Sequence, residues 1–422
     1  MALVVLILKV YLVVCAATML LYAARHYRFT LSRLGGPQRL FHQDIIDSDL
    51  PRVSVLMPMH DEEGVARRAI TAVLDSEYPA DRIEIVPIDD HSVDRTGEIL
   101  AEMALADPRI RPLVRRNGTR GKQAALNDAI ETASGEVIVV FDADYIPTRG
   151  CLRDLVVAFK DPEVGAVMGR VVPFNAHRTL LTRMLDLERS AGYQVDQQAR
   201  HNLRLTPQYG GTVGGFRRDL VRALGGFDPR VLAEDTDLTF ALISRGWKVV
   251  YANRVEAYEE VPESWQVRSR QIRRWSRGHN QVLFKRLVPM LRSPFLSRRE
   301  KWDGVMLLGV YTVPLLLVLG ILASLALFYL GEMELLWGML LVPFLVAYNT
   351  FGNFAPFFQI GAATLLDGQT YRVRLLPALL FYFLLNLWNI TGGFLEAVAD
   401  RFRDRHVDWH KTRRGPAGSE GW

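Results

Sequence analysis

The sequence contains only two cysteines, Cys15 and Cys151, in 422 residues. So few cysteines exclude a disulfide-rich secreted scaffold, and we expect both to be unpaired, reduced thiols, as in a cytosolic setting. A strong excess of one charge is also lacking, because 46 Asp and Glu offset 51 Lys and Arg to a net charge of +5. The basic residues lie mostly beside apolar stretches and in the segment 269–281. This distribution suits anionic headgroups and phosphorylated substrates better than nucleic acid.

Charge is almost absent from the beginning of the chain, where Leu3–Ala24 carries only Lys9. These 22 residues match the ~20 that a helix needs to cross about 30 Å of hydrocarbon. A cleaved signal peptide is the alternative, but the stretch lacks a basic n-region and is too long for an h-region. The basic segment 24–39 follows directly, so the positive-inside rule predicts a helix that runs from outside to inside.

Three further apolar stretches occur only after Trp302, and they are Val305–Leu330, Leu335–Phe351 and Ala378–Ala399. The sequence therefore predicts a multi-pass protein of the cell (plasma) membrane with one large cytoplasmic domain. Three C-terminal spans would place the basic residues 401–415 outside, against the positive-inside rule. Either Asn353–Leu366 enters the membrane and shifts the count, or the last span does not cross fully. We favour a cytoplasmic tail.

Strand-like and helix-like stretches alternate between residues 52 and 147. Three apolar strands end in the polar clusters HDEE, DDHSVD and DAD, and amphipathic helices of about 10–14 residues lie between them. This order predicts an α/β domain with a doubly wound, mostly parallel sheet. Ligands gather at the carboxyl ends of the strands in such sheets, so the three clusters favour a nucleotide site.

The DAD cluster suggests a metal site. Asp142 and Asp144 are alternate residues at the end of a strand, so both carboxylates can face one hard cation. Two protein oxygens together with diphosphate oxygens are a usual set of ligands for Mg²⁺ or Mn²⁺. An acidic turn without a ligand is the alternative, but the position after a buried VIVV strand favours the metal.

The other strand ends offer groups that suit a nucleotide. Asp89 and Asp90 can accept hydrogen bonds from a base or a ribose, although Ser92 or Asp94 in the same turn could simply cap the next helix. His60 can stack on a base, with a structural role as the alternative, and Glu62 can bind a ribose hydroxyl. Lys122 follows Gly121 at a helix start, which is a natural phosphate site, although the spacing is not that of a Walker loop.

Three acids, Glu234, Asp235 and Asp237, gather at the start of an amphipathic helix. The helix dipole favours acids at this end in any protein, but a carboxylate here could also act as a general base on an incoming hydroxyl.

The stretch SRQIRRWSRGHNQ, residues 269–281, places Gln271, Arg274 and Trp275 on one helical face. Arg274 can bind a diphosphate bidentately, and Trp275 can offer a flat platform to a sugar ring. Arg273 and Arg277 point elsewhere, and we expect them to meet headgroups or other solvent-facing partners. A basic helix that only anchors the domain at the interface is the alternative.

These motifs, in this order, resemble the family-2 glycosyltransferases, particularly the membrane-embedded, often processive branch of cellulose, hyaluronan, chito-oligosaccharide and poly-N-acetylglucosamine synthases. The family pattern D-D, D-x-D, T-E-D and Q-x-x-R-W reads here as DDHSVD, DAD, AED and QIRRW, within about residues 52–285. The resemblance implies a GT-A-type fold and inverting, β-forming transfer from a UDP-sugar.

The resemblance also implies a role for individual residues, with Asp235 as the catalytic base. The nucleotide would be bound by Pro58, His60, Glu62, Asp89, Asp90, Lys122 and Asp142. Asp142 and Asp144 would hold Mg²⁺ or Mn²⁺. The acceptor and diphosphate end would comprise Gly211, Thr212, Glu234, Gln271, Arg274 and Trp275. The sequence departs from the pattern at Ala233, where the family usually has threonine, so a hydroxyl beside the base is missing.

The predicted organisation is an N-terminal transmembrane helix (1–26), a basic linker (27–50), a cytoplasmic GT-A domain (51–260), interfacial helices (261–302), about three C-terminal membrane segments (303–400) and a basic tail (401–422). The motifs favour processive synthesis of a glucose or N-acetylglucosamine polymer, with transfer of one sugar to a lipid as the alternative. A membrane-anchored binding protein, with the α/β domain as an inactive nucleotide sensor, is a third alternative. The loss of one acid would indicate it, but Asp89, Asp90, Asp142, Asp144 and Asp235 are all present, which argues for an enzyme. Predicted partners are a UDP-sugar, a polysaccharide or lipid acceptor and the bilayer, with accessory subunits allowed and no nucleic acid.

Overall fold

The computed structural model describes residues 1–36, 49–332 and 354–403. At its centre is an eight-stranded sheet, whose strands are, in chain order, β1 (Val53–Met59), β2 (Ile83–Asp90), β3 (Leu113–Arg115), β4 (Val137–Val140), β5 (Ile146–Pro147), β6 (Val164–Pro173), β7 (Gly214–Arg217) and β8 (Lys248–Glu259). The order across the sheet is β3-β2-β1-β4-β7-β6-β8-β5. β3, β2, β1 and β4 are parallel neighbours, as are β6 and β8. β7 is antiparallel to β4 and β6, and β5 is antiparallel to β8. The α/β domain is confirmed, and its sheet is mixed rather than mostly parallel.

The antiparallel insertion of β7 depends on glycine. A Cβ on Gly214 would lie 2.5 Å from the carbonyl oxygen of Val167 in β6, and one on Gly215 would lie 2.7 Å from that of Ile138 in β4. Both are shorter than any real contact of a Cβ, so only glycine lets the three strands approach this closely. Local alternation of strand and helix does not contain this information, which is why the sequence predicts a more parallel sheet.

The helices of the described residues are α1 (Ala2–Gly35), α2 (Ala66–Leu74), α3 (Thr96–Ala106), α4 (Lys122–Thr132), α5 (Cys151–Val156), α6 (Leu180–Ser190), α7 (Gln198–Asn202), α8 (Arg218–Ala223), α9 (Glu234–Ile243), α10 (Trp265–Arg292), α11 (Arg298–Gly309), α12 (Val313–Tyr329), α13 (Ala355–Leu366) and α14 (Leu376–Arg403). A π-helical segment (Ala191–Gln197) joins α6 to α7, and short 3₁₀ turns lie at Ala80–Arg82, Val157–Lys160, Val310–Thr312 and Thr370–Leu375.

Helices cover both faces of the sheet. Strand side chains alternate between the faces, so Val55 and Met57 of β1 join one core while Leu56 joins the other. α2, α3 and α5 pack on the first face, and α4, α8, α9 and α10 on the second. A third core joins α1, α6, α13 and α14 through residues that include Phe29, Leu187 and Leu379. It attaches α1, α13 and α14 to the sheet domain.

Three helical stretches in the described part of the chain are long and apolar enough to cross a membrane: Ala2–Gly35, Arg298–Tyr329 and Thr370–Phe402. The first confirms the predicted N-terminal helix, and the other two contain most of the predicted stretches Val305–Leu330 and Ala378–Ala399. Asn353–Leu366 mostly forms α13, whose 12 residues are too few to cross. The predicted stretch Leu335–Phe351 lies outside the described residues, as does the tail after residue 403.

α1 runs antiparallel to α11 and α12. The Tyr22 hydroxyl donates to the carbonyl oxygen of Met306 in α11 at 2.7 Å, and that of Tyr11 donates to the carbonyl oxygen of Leu316 in α12 at 2.9 Å. Lys9 pairs with Glu332, just after α12, at 3.2 Å. The hydroxyls and the ion pair thus bind the part of α1 from Lys9 to Tyr22 to these C-terminal helices.

Candidate active site

A cavity of about 660 Å³ opens at the carboxyl ends of β1, β2 and β4. β1 lies between β2 and β4 in parallel register, so the loops that follow the three strands emerge side by side. Pro58, His60, Glu62, Asp90 and Asp142 line the cavity. The structure therefore gathers most of the predicted nucleotide-binding residues on one wall.

The two acids at the end of β2 have different surroundings. Asp90 lines the cavity, and its carboxylate accepts a hydrogen bond from the backbone N–H of Gly121 at 2.8 Å and pairs with Arg115. Asp89 is fully buried and does not line the cavity. It accepts from the backbone N–H of Ser92 at 3.1 Å and pairs with Arg116 at 2.8 Å. Asp89 thus organises the turn after β2, whereas Asp90 faces the cavity.

Lys122, the first residue of α4, lies among carboxylates. Its Nζ is 2.7 Å from Asp142 Oδ1 and 3.5 Å from Glu234 Oε1, and it donates to the carbonyl oxygen of Gly211 at 2.9 Å. Burial alone would lower the pKa of Lys122, but the carboxylates of Asp142 and Glu234 outweigh it and raise that pKa above its usual value. Lys122 is therefore a fixed positive charge at the point where the three strand ends meet.

The predicted metal ligands, Asp142 and Asp144, both line the cavity beside Lys122. Among the described residues, no three His, Cys, Asp or Glu side chains are grouped so as to hold a metal ion by themselves. Two carboxylates fit a hard cation that takes its remaining ligands from a diphosphate and water. The donor set is thus compatible with a Mg²⁺ or Mn²⁺ ion that enters with the nucleotide.

The loop before β7 forms the floor of the cavity. Gly211 has a φ of +76°, and a Cβ there would lie 3.2 Å from the Cβ of Asp235. Thr212 accepts a hydrogen bond through Oγ1 from the backbone N–H of Asp142 at 3.1 Å. Glycine is needed for the left-handed conformation and leaves room for the acid of α9. The loop therefore ties the metal-binding end of the cavity to the predicted base.

Asp235 lies in the first turn of α9 and lines the cavity. Burial raises the pKa of its carboxyl, opposed by hydrogen bonds from Thr236 and by the charge of Lys122. The Thr236 backbone N–H donates to Asp235 Oδ1 at 2.6 Å, and the Thr236 hydroxyl lies 3.3 Å from the same oxygen. Thr236 therefore supplies a hydroxyl beside the acid although Ala233 occupies the family's threonine position.

The hydroxyl of Thr236 is held by two more side chains. Gln208 donates to it through Nε2 at 2.7 Å, and His279 Nδ1 lies 3.3 Å away. Burial lowers the pKa of His279 to about 4, so its ring is neutral at neutral pH. The Thr236 side chain beside Asp235 is thus held in place by Gln208, in the loop before β7, and by His279 of α10.

The α10 face predicted from the sequence points into the cavity, because Gln271, Arg274 and Trp275 all line it. Burial lowers the pKa of Arg274, while Glu234 and Asp142 act in the opposite direction. This face of α10 therefore brings a partly buried guanidinium towards Glu234 of α9 and Asp142, which follows β4. An anionic diphosphate between them would find positive charge on both sides, from Arg274 and Lys122.

The ring of Trp275 lies between arginines. The guanidinium carbon of Arg268 is 5.0 Å from the ring centroid and that of Arg189 is 5.1 Å from it, both in the range of cation–π contacts. Arg268 also donates to Gln271 Oε1 at 2.8 Å and pairs with Glu188 at 2.8 Å. Trp275 thus packs into a polar network at the cavity wall, and the sugar-stacking role remains a prediction.

The arginines on the other face of α10 point away from the cavity, as predicted. Arg273 pairs with Glu396 at 2.7 Å, and Arg277 pairs with Asp400 at 2.6 Å, both on α14. The sequence did not identify these partners, because the two acids lie more than a hundred residues further along the chain, where no helical spacing reveals them.

Several cavity residues were not predicted, among them Glu188 and Arg189 of α6, Tyr193 of the π-helical segment, His279 and Tyr311. His279 lies four residues after Trp275 and could have been found by helical spacing. The π-helical segment has no recognisable sequence signal, although such insertions often occur at functional sites. Tyr311 follows α11, and its ring stacks on His279 with centroids 4.6 Å apart.

The cavity continues from the strand ends to the beginning of α12. Leu307, Val310 and Tyr311 line it there, just before α12 begins at Val313. One continuous space therefore joins the predicted nucleotide site, Asp235 and the beginning of a helix that is apolar enough to cross a membrane.

Comparison with known proteins identifies the family. The family model described as Glycosyl transferase family 2 matches residues 54–225. The chain is 31% identical over 373 residues to the probable glycosyltransferase YdaM of Bacillus subtilis, and the alignment covers 87% of each protein. It is also 31% identical over 275 residues to a beta-monoglucosyldiacylglycerol synthase of Nostoc sp., covering 65% of this chain and 58% of that synthase.

The fold is similar to that of a solved structure, the mannosyltransferase PcManGT from Pyrobaculum calidifontis in complex with GDP-Man and Mn²⁺. The TM-score is 0.59 at 23% sequence identity, over 85% of this chain and 98% of that one. This similarity supports the GT-A-like fold of the mixed-sheet domain. The family is shown by the match to the family model and by the 31% identical relative that covers 87% of the chain: the chain is a glycosyltransferase that belongs to family 2.

Proposed function

We propose that the protein is an inverting membrane glycosyltransferase that transfers a sugar from a UDP-sugar to an acceptor hydroxyl with β-linkage. The observation that carries this proposal is the single cavity lined by Asp90, Asp142, Asp235, Arg274 and, at its far end, Tyr311. It has room for a nucleotide at the strand ends and for an acceptor at the membrane end, with the acid between them.

The donor would bind with its base and ribose near His60, Glu62 and Asp90, and its diphosphate between Lys122 and Arg274. A divalent cation, Mg²⁺ or Mn²⁺, held by Asp142 and Asp144, would supply charge neutralisation for the diphosphate when bound. Lys122 would then exchange its present contact with Asp142 for a phosphate oxygen. These groups stabilise the negative charge that grows on the leaving nucleotide.

Asp235 would remove the proton from the acceptor hydroxyl as its oxygen attacks the anomeric carbon. A new bond forms from the acceptor oxygen to this carbon, while the bond to the diphosphate oxygen breaks and its electrons leave with UDP. Attack from the opposite face inverts an α-linked donor to a β-linked product. Since both reactants are held in one cavity, positioning supplies much of the rate acceleration.

For the acceptor, the geometry favours a lipid. The acceptor end is lined by Leu307, Val310 and Tyr311 at the start of α12, where a lipid hydroxyl could enter from the bilayer. The relationship to a beta-monoglucosyldiacylglycerol synthase supports the same class. A growing polysaccharide is the second candidate, and Gln271, Arg274 and Trp275 favour it because the resemblance links this motif to processive synthases. In both cases the protein would be a multi-pass membrane protein with its catalytic domain in the cytoplasm.

The test uses membranes that contain the full-length protein, Mg²⁺ or Mn²⁺, and labelled UDP-glucose, UDP-N-acetylglucosamine, UDP-galactose or GDP-mannose in separate reactions. Each product is partitioned between organic solvent and water, and the aqueous fraction is sized. One labelled lipid-soluble species would establish a glycolipid synthase and its donor. A long water-soluble or insoluble chain would establish the polymerase instead. No transfer from any donor would contradict the proposed activity.

Asp235→Asn tests the base. A general base contributes about 10²–10⁴ to the rate, so we expect kcat to fall by at least about 10² while UDP still binds. The matched control is Asp237→Asn in the same helical turn, because Asp237 pairs with Lys285 at 2.9 Å and Arg286 at the side of α9 away from the cavity. The control should lose thermal stability but keep its turnover per folded molecule. Equal turnover of Asp235→Asn and wild type would exclude the role of Asp235.

A further inference from the structure

Helix α14 qualifies by length and composition to cross a membrane, but its contacts indicate another position. Its polar side chains bind the catalytic domain at intervals along the whole helix. Near its start, the Tyr382 hydroxyl accepts a hydrogen bond from Arg268 at 2.8 Å and donates to Glu188 of α6. Near its end, Asp400 pairs with Arg277 at 2.6 Å.

Further contacts fill the interval. The Ser276 hydroxyl donates to the carbonyl oxygen of Ile390 at 2.7 Å, and Glu396 pairs with Arg273 at 2.7 Å. Asn389 donates to the Ser269 hydroxyl at 3.2 Å. From Tyr382 to Asp400 the helix rises about 27 Å, at 1.5 Å per residue. On α10 the partners run from Arg268 to Phe284, whose ring contacts the Phe394 ring and the Arg401 guanidinium of α14, a rise of about 24 Å. α14 therefore lies alongside α10 over most of the thickness of the hydrocarbon core.

α10 is itself part of the water-exposed domain. A Cβ on Gly278 would lie 2.8 Å from the backbone nitrogen of Ala233, at the start of α9. Lys285 pairs with Asp228 at 2.8 Å, and Met290 is buried in the core beneath the sheet. A helix that follows α10 for about 24 Å cannot at the same time cross about 30 Å of hydrocarbon.

The opposite face of α14 is apolar and exposed. Phe381, Trp388, Leu395 and Phe402 are 70%, 69%, 56% and 82% exposed. They are spaced seven residues apart, which is close to two helical turns, so they form one stripe about 32 Å long on the face turned away from the domain. So large an apolar stripe is unfavourable in water.

Continuity with the membrane helices identifies what covers this stripe. α14 packs against α12, which runs antiparallel to α1, and both of these helices belong to stretches long and apolar enough to cross a membrane. Trp302 of α11, just before α12, is 54% exposed, as expected for an aromatic residue at a membrane surface. The stripe therefore lies next to the lipid that surrounds α12.

We propose that α14 does not cross the membrane but lies flat in the cytoplasmic surface of the bilayer, with its apolar stripe in the lipid and its polar face on α10. Such helices are amphipathic and insert their apolar face about 5–10 Å into the boundary of headgroups and acyl chains. Residue 403 is then on the same side of the membrane as the catalytic domain. The basic segment 401–415 obeys the positive-inside rule, and the conflict found in the sequence disappears.

This position also makes α10 the layer between the bilayer and the active site. One face of α10 carries Gln271, Arg274 and Trp275 towards the cavity, and the other carries Arg273 and Arg277 towards α14. The inference concerns the placement of the helix and holds for any sugar or acceptor.

A depth measurement tests the proposal. Single cysteines replace Phe381, Trp388, Leu395 or Phe402 in full-length protein that carries C15S and C151A. Each is labelled with a fluorophore, and the protein is reconstituted in vesicles of phosphatidylcholine and phosphatidylglycerol with nitroxides at graded depths. Matched control sites are Leu317, Ile321, Leu325 and Phe328 of α12, four positions on a helix that should cross.

We expect the four α14 labels to lie at one shallow depth, and the α12 labels to change in depth by about 1.5 Å per residue. An impermeant maleimide should reach a cysteine at Arg401, which is exposed beside the stripe, from the side that also exposes a cysteine at Leu105, which is 92% exposed on the catalytic domain. Depths that pass through the bilayer centre along α14, or labelling of position 401 only from the opposite side, would overturn the proposal. Labels on α14 that no lipid nitroxide quenches would overturn it as well.

Discussion

Replacing Gly393 by alanine adds one methyl group where α14 and α10 are in close contact. The new Cβ would lie 2.4 Å from the carbonyl oxygen of Arg273 and 2.8 Å from the Cβ of Ser276. An ordinary contact begins at about 3.4 Å, and the nearest atom belongs to the backbone, which cannot rotate away. The two helices must therefore separate by about 1 Å at this point.

Two effects oppose each other in this variant. Alanine in a helix is favoured over glycine by about 1 kcal/mol. Overpacking a tight contact costs about 1–3 kcal/mol, and the separation would also stretch the 2.7 Å hydrogen bond from Ser276 to Ile390. We expect the clash to win, so the free energy of unfolding should fall by up to about 2 kcal/mol.

The displacement should also reach the active site. Arg274 and Trp275 lie between the two α10 residues that meet the new methyl group, and a misplacement of 1 Å can cost about 10²-fold in rate. We therefore expect kcat/KM of Gly393→Ala to fall by about 10–100-fold. Thermal unfolding in detergent and initial rates with the identified donor measure the two effects separately.

Two other glycines provide controls. In Gly361→Ala the nearest atom is Leu376 Cδ1 at 4.0 Å, so this variant should gain stability. In Gly392→Ala the nearest atom is the guanidinium carbon of Arg273 at 3.1 Å, which can move, so the effect should be small. If Gly393→Ala matched Gly361→Ala in both stability and rate, the close contact of α10 and α14 would be refuted.

Three further predictions follow from the cavity and its surroundings. Thr236→Val removes a hydroxyl that favours the charged form of Asp235, so the pKa of Asp235 should rise further. Because the base is active only when deprotonated, the acid limb of the pH profile of kcat/KM should move to higher pH. The control Thr236→Ser keeps the hydroxyl and should leave the acid limb in place. Lys122→Met leaves the carboxylates of Asp142 and Glu234 without their cation and removes a charged hydrogen bond to the diphosphate. Such a bond is worth about 1.5–3 kcal/mol, so the KM for the donor should rise at least about tenfold. Lys122→Arg should recover part of the lost donor affinity, and unchanged donor binding in Lys122→Met would exclude a diphosphate role. Burial raises the pKa of Glu188, but Arg268 outweighs this effect and holds that pKa low. Arg268→Met should therefore lower the free energy of unfolding by about 3 kcal/mol. The double variant with Glu188→Met should regain stability, and an Arg268→Met variant as stable as wild type would contradict the pairing.

Sequence reasoning was most accurate where interactions are local. The strand predicted to end in the DDHSVD cluster coincides with β2, and α3 is one of the helices predicted between the strands. Helical spacing alone placed Gln271, Arg274 and Trp275 on one face, and the structure turns this face to the cavity. Periodicity is sufficient here because it depends on residues within two turns of each other or on the alternation within one strand.

Other features depend on contacts between distant segments. The antiparallel insertion of β7, the burial of Asp89 beside Arg116 and the arginines around Trp275 involve partners that no spacing connects. The pairing of Lys122 with Asp142 and Glu234 likewise requires β4 and α9 to meet at one point.

By itself the sequence determined which elements form, which of their faces are apolar and where the acids stand relative to the strand ends. Only the tertiary structure decided what covers each face. The apolar stretch Ala378–Ala399 has the length of a membrane span, but Tyr382 and Glu396 bind a helix of the catalytic domain. The physical reason is that hydropathy reports how favourable it is for a segment to leave water, whereas the direction of a helix is set by the partners of its polar side chains.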